Sequence, residues 1–182
     1  MPFLIVLAIL AVVVIYVVVQ YNGLVRVRNR IENGWAQIDV QLKRRHDLIP
    51  NLVETVKGYA AHERSTLEAV IAARNSALSA KGEGNIAAAE NNLSGTLKNL
   101  FALGEAYPDL KAKQNFLQLQ EELTGTEDKI AYSRQYFNDE VRAYNTKIQS
   151  FPSNILAKQF KFAQRVYFQT DEVDRGPVSV KF

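Results

Sequence analysis

The chain has 182 residues, 47% hydrophobic and 23% charged, with nine glycines and five prolines. This is the composition of a folded protein with room for one membrane segment and one domain of ordinary size. Its net charge of +3 is too small to imply nucleic acid without a clustered basic patch. The absence of cysteine excludes disulfides, thiolate sites and cysteine-ligated metals.

Residues 2–19 carry no charge. At 1.5 Å per residue they cover about 27 Å, close to the hydrocarbon thickness of a bilayer. No Lys or Arg precedes the run and no small-x-small site follows it, so an uncleaved anchor is expected rather than a signal peptide. Tyr16 and Tyr21 suit the membrane interface, and Arg26 and Arg28 follow directly. With Arg30 and residues 43–45 they place the basic excess after the span. A single-pass protein with its N-terminus outside and its helical part in the cytoplasm is therefore predicted.

The next stretch organises the chain. Stepping from Ile38 by threes and fours meets Leu42, Arg45, Ile49, Leu52, Val56 and Tyr59, apolar at every stop except Arg45. That is a helix seam packed on partner helices. It extends backwards through Trp35, Ile31 and Leu24, so the helix is expected to run on from the membrane despite Asn22-Gly23 and Gly34. A second stripe holds Asp39, Lys43, Asp47, Asn51, Glu54 and His62. Pro50 removes the hydrogen bond to the His46 carbonyl, at a cost of about 3 kcal/mol. The helix either bends there or stops near Asp47 and restarts. The unbroken seam favours the bend.

Leu67, Val70, Ile71 and Leu78 continue the pattern until Lys81-Gly-Glu-Gly84 ends it. Asn85 is the expected N-cap of the next helix, with Ile86, Leu93, Leu97, Leu100 and Leu103 on its apolar face and an end near Tyr107, ahead of Pro108. The last long helix carries a heptad: Phe116, Leu123, Ile130, Phe137, Tyr144 and Phe151 fall seven apart, with Leu119, Val141 and Ile148 between. Gly125 is its weak point. Phe151-Pro152 closes it, residues 154–160 form a short further helix, and an extended aromatic tail follows. The predicted organisation is residues 1–21 as anchor, 22–158 as helical domain and 159–182 as tail.

The run IDVQLKRRHDLIPNLVETVKGYAAHE, with Ala106-Tyr-Pro-Asp-Leu-Lys111 and Asn115-Phe-Leu-Gln-Leu-Gln120, resembles the LemA family of bacteria. The Tyr167-Phe168 pair and the final Val-x-Val-x-Phe agree with that family. The resemblance covers nearly the whole chain. It implies an all-α protein whose membrane helix continues into an antiparallel up-and-down bundle, in the bacterial plasma membrane, with no established enzymatic activity. Relatives are linked to membrane organisation, magnetosome formation and neighbourhoods encoding membrane metalloproteases. Two positions depart from the family pattern: Phe160-Lys-Phe162 stands for Phe-Gly-Phe, and Val166 for a proline.

Chemistry-bearing motifs are sparse. His46 and His62 are sixteen residues apart, about 24 Å along one helix, too far to share a metal. Both are expected to be partly exposed helical histidines. No phosphate loop or nucleophile elbow appears, and no cofactor is expected. Asp39, Asp47 and Glu54 share a stripe with Lys43, which reads as exposed salt pairs or as a face meeting another subunit. Arg45 in the seam either snorkels outward or is paired; a carboxylate within hydrogen-bond reach is expected, with Glu121, Glu122, Glu127 and Asp128 as candidates. Trp35 is either an interface anchor near the membrane or core. The candidate interface set is Trp35, Asp39, Arg44, Arg45, Asp47, Pro50, Asn51, Glu54 and Tyr59. Three functions compete: a non-enzymatic scaffold that self-associates at the membrane through lipid and homo-oligomer contacts, an adaptor or regulator of a membrane protease or signalling complex, and an enzyme. The last would need a pocket of convergent polar groups, which the sequence does not name. The helical domain carries too much charge to insert into the bilayer itself.

Overall fold

A computed structural model describes residues 2–60 and 62–168. The Val-x-Val-x-Phe ending of the predicted tail lies outside the described residues. Within them the regular elements are helices: α1 (Pro2–Lys57), α2 (Arg64–Ser79), α3 (Glu83–Glu105), α4 (Pro108–Lys111), α5 (Gln114–Gln149) and α6 (Ser153–Gln159).

α1 carries the apolar run and the seam on one helix, uninterrupted at Asn22-Gly23, Gly34 or Pro50. Among the described residues it is the one helix long and apolar enough to cross a membrane. Its side chains at 2–16 are all exposed. The seam residues Leu24, Ile31, Ile38, Leu42, Ile49, Leu52 and Val56 are buried. Tyr59 is not: it is 41% exposed, because the helix ends two residues before it. The end is made at Gly58, where the chain turns and Ala60 N–H donates to the Val56 carbonyl at 2.8 Å. Ala60 then takes the buried place that the seam had assigned to Tyr59.

The described chain divides into two compact units. One comprises residues 2–37 and 133–167, the other residues 38–132 with Phe168. α1 and α5 each contribute one part to each unit.

In the first unit, α1 and α5 run antiparallel. A Cβ placed on Gly23 would sit 2.5 Å from Lys147 Nζ, and one placed on Gly34 would sit 3.3 Å from Tyr136, so partners fall along α5 as they rise along α1. Leu24, Ile31, Phe137, Val141, Tyr144 and Ile148 fill the core. Trp35 packs edge-on against Phe137 with centroids 5.5 Å apart. The heptad of α5 continues as far as Tyr144. Its next member, Phe151, is 80% exposed, because the helix has already ended at Gln149. Buried positions at Ser133, Phe137 and Val141 are spaced by two successive fours. Such a stutter keeps a straight helix in contact where a strict seven-residue repeat would drift.

The segment after α6 folds back on this unit. Tyr144 Oη–H donates to the Ala163 carbonyl at 3.0 Å. The buried Asn145 amide exchanges two bonds with Arg165, donating to its carbonyl at 2.9 Å and accepting its N–H at 3.0 Å, as a neighbouring strand would. Lys161 has φ of 57°, the left-handed region. This is the position where the family pattern has glycine, which adopts that region without steric cost.

In the second unit, Ile49, Leu52 and Val56 of α1 join Leu67, Val70, Ala73 and Ala77 of α2, Leu93, Leu97 and Leu100 of α3, and Phe116 and Leu123 of α5 in one apolar cluster. Ile71 and Leu78, expected on the buried face of α2, are 43% and 54% exposed. The inward face of α2 is Leu67, Val70, Ala73 and Ala77, so the alanines 73 and 77 are buried instead. α3 opens two residues before Asn85, with Gly82 (φ 85°) as its N-cap, and Asn85 Nδ2 donates to the Lys81 carbonyl. It ends at Glu105, and Tyr107 is extended ahead of Pro108, as a residue before proline must be. α3 meets α5 closely: a Cβ on Gly104 would lie 2.6 Å from the Phe116 ring.

Candidate functional site: a buried charge cluster around Arg45

Arg45 occupies a seam position between Leu42 and Ile49, so helical geometry carries its side chain into the second unit, where it is fully buried. An uncompensated guanidinium there would cost several kcal/mol. Two other helices, α3 and α5, supply the compensation. Nη1 donates to Ser94 Oγ of α3 at 2.8 Å and to the Glu127 carboxylate of α5. Nη2 donates to the Glu90 carboxylate of α3 and to the Glu90 backbone carbonyl at 3.3 Å. Ser94 Oγ also donates to the second Glu127 oxygen at 3.1 Å. His46, the next residue on α1, brings Nε2 to 2.8 Å from the second Glu90 oxygen. That contact is close but off the ring N–H direction, so its value is electrostatic rather than that of a linear bond.

Glu90 is as buried as Arg45. Burial is the largest influence on its carboxyl and opposes ionisation. The His46 contact and the Arg45 charge together outweigh it and hold the group below the usual carboxylate range. Its charge is thereby fixed inside the core.

A second interaction closes around Pro50. Proline leaves the His46 carbonyl without its helical donor. Arg74 Nε of α2 donates to that carbonyl at 2.8 Å. The proline therefore creates an acceptor that ties α2 to α1, beside the same residue that faces Glu90. Alongside Arg45 and Glu127 lies a small cavity of about 210 Å³, lined also by Leu97, Lys98, Phe101 and Leu123.

The residues singled out from the sequence fall into separate places. Arg45 lies in the cluster, and Glu127 is the α5 carboxylate that its burial demanded. Asp39, Asp47, Asn51, Glu54 and Pro50 line the exposed side of α1. Arg44 is also exposed and pairs weakly with Glu122 at 3.8 Å. Tyr59 stands beyond the helix end with Lys113 Nζ 5.4 Å above its ring. Trp35, Tyr21, Arg26 and Arg28 belong to the first unit. There the Tyr21 ring meets those of Phe160 and Phe162 at 4.9 and 5.8 Å, and Arg28 lies over Phe162.

The histidines differ from expectation at both positions. His46 is buried against Glu90, and His62 sits in the turn after α1 rather than on it. Glu90 was missed, although the signal was available: it lies four residues after Ile86 and three before Leu93, on the apolar face of α3. A lone carboxylate there is the counterpart of a lone guanidinium in the α1 seam.

Chemically the cluster is self-consuming. Its strongest donors and acceptors meet one another across three helices, which suits it to fixing helix register rather than to acting on a ligand.

The model of the LemA family matches residues 34–182. The LemA protein of Metamycoplasma hominis is 28% identical over 86% of this chain and 72% of its own length. Magnetosome protein MamQ 2 of Paramagnetospirillum magneticum is 24% identical over 96% of this chain and 75% of its own. Magnetosome protein MamQ of Magnetospirillum gryphiswaldense is 23% identical over 87% and 68%. The match takes in the seam from Trp35 onward, the Arg45 cluster and the segment folded back after α6, and the chain belongs to the LemA family.

Proposed function

We propose that the protein is a non-enzymatic helical scaffold, anchored in the bacterial plasma membrane by the start of α1 and associating with further copies of itself through the exposed face of that helix. The observation that carries this reading is the continuity of α1: one helix bears an exposed apolar run, a buried seam and an exposed polar stripe. On that stripe Val40, 62% exposed, sits among Asp39, Lys43, Asp47 and Asn51. Opposite charges at helical spacing around an apolar residue contribute little in water, but specify register once another helix desolvates them. The basic residues after the span favour a cytoplasmic helical domain.

Sizing and chemical crosslinking of the full-length protein in a membrane mimic test the reading. Oligomers that dissociate when Val40→Glu and Lys43→Glu are combined are expected. A monomer at all concentrations would overturn it.

A further inference from the structure

We propose that the α5–α6 turn and α6 form a second contact with the bilayer, a foot of aromatic, aliphatic and lysine side chains seated in the anionic headgroup layer beside the span. This rests on the reading of α1 as a membrane anchor.

Three observations within the first unit converge on it. The first is level. Lys147 stands beside Gly23, and α5 runs antiparallel to α1. Its last residues and Phe151 therefore come level with the end of the apolar run, at 1.5 Å per residue. Burial agrees, since residues 2–16 are exposed but Val17 and Gln20 are half-buried. The protein thus begins to cover α1 while the apolar run is still in progress. The Phe160 ring on Tyr21 fixes the far end of α6 at the same level.

The second is apolar exposure. Phe151, Ile155 and Phe160 are 80%, 59% and 47% exposed. Large side chains of this kind are costly to leave in water but are at home at the headgroup boundary, with aromatic rings favoured there.

The third is charge. Residues 141–165 contain five basic residues and no acidic one, and residues 2–31 contain three arginines and no acidic one. Lys158 and Lys161 on the foot are exposed. Such a concentration near the end of a span attracts anionic phospholipid. A second copy of the chain would bring the same positive end and be repelled. The contact differs from insertion of a helix, because only a few side chains enter the interface while the backbone of α6 lies along it.

The chain has no cysteine, so single cysteines for spin labelling can be placed freely. Ile155→Cys, Val12→Cys and Gln135→Cys, each in the full-length protein, are reconstituted into vesicles of phosphatidylcholine with phosphatidylglycerol. The ratio of collision with oxygen to collision with a water-soluble nickel chelate is then measured. The ratio at 155 is expected to be several-fold higher than at 135 and lower than at 12, and to fall when Lys158→Glu and Lys161→Glu are added. A label at 155 as aqueous as that at 135, with 12 still in the bilayer, would overturn the foot and leave the anchor. An aqueous label at 12 would overturn both. Shielding of 155 from both reagents would mean that protein covers it, and would also overturn the lipid contact.

Discussion

The two units are built from the same pair of long helices and solve the same packing problem differently. In the first, α1 and α5 close on aromatic rings, Trp35 on Phe137 with Tyr144 buried nearby, and Tyr144 and Asn145 hold the segment at 163–165. In the second, the α1 seam is broken by Arg45 and the core is threaded by a charge cluster from α1, α3 and α5. Apolar packing is non-directional and tolerates small slips of one helix along another. A forked guanidinium that must meet Glu90, Ser94 and Glu127 does not. The unit that assembles more helices therefore carries the device that fixes their register.

The sharpest way to break this contrast is Arg45→Met. It leaves Glu90 buried with His46 as its remaining polar contact and strips Glu127 and Ser94 of their guanidinium, and should cost about 3–5 kcal/mol, read as a lowered urea midpoint. Adding Glu90→Met should recover most of the loss, because the pair is then replaced by packing. Full cost in the double variant would show that the cluster contributes more than mutual compensation. Acid offers a second route. Glu90 is held below its ordinary range, so its ionised form favours the fold. That contribution is complete above the unfolded carboxylate value of about 4.3 and is lost as pH falls through the lower folded value. The urea midpoint should fall with acid below about pH 4, and Glu90→Gln should flatten that fall while lowering stability at neutral pH.

In the first unit the matching test is Asn145→Ala. It removes both bonds to Arg165 and leaves backbone groups to find new partners, at about 1–3 kcal/mol. Limited proteolysis should cut near Arg165 faster, while the urea midpoint of the second unit moves little. Smaller still is Lys161→Gly, which relieves a left-handed lysine and should stabilise by about 1 kcal/mol, seen as a rise in melting temperature. The least effect belongs to Pro50. Arg74→Met should cost about 1 kcal/mol, and much less when Pro50→Ala supplies the His46 carbonyl with a backbone N–H. A double-mutant cycle reads the difference as a coupling between the two sites.

Much of this was legible in the chain, for identifiable reasons. The apolar run at the start of α1 follows from composition, and the seam from Leu24 to Val56 and the α5 heptad as far as Tyr144 from spacing, since a 3.6-residue period dictates which side chains share a face. Arg45 was marked because it violated that period. Glu90 violated it equally on α3 but stood in an alanine-rich stretch with a weaker apolar face, so the exception was harder to see. Tyr59 was misplaced because the seam was carried past Gly58, where the helix has ended, and Leu78 because large apolar residues were preferred to the alanines that α2 buries.

The sequence by itself determined that the protein is helical, that α1 is apolar at its start and that a guanidinium stands in the seam midway along it, because these are consequences of composition and periodicity. Only the tertiary structure decided which acids meet Arg45, that Arg74 caps the carbonyl freed by Pro50, and that residues 160–165 return to the start of α1. Those partners lie between 28 and 139 residues apart in the chain, and no local pattern records which distant group will arrive to satisfy a buried charge or an open carbonyl.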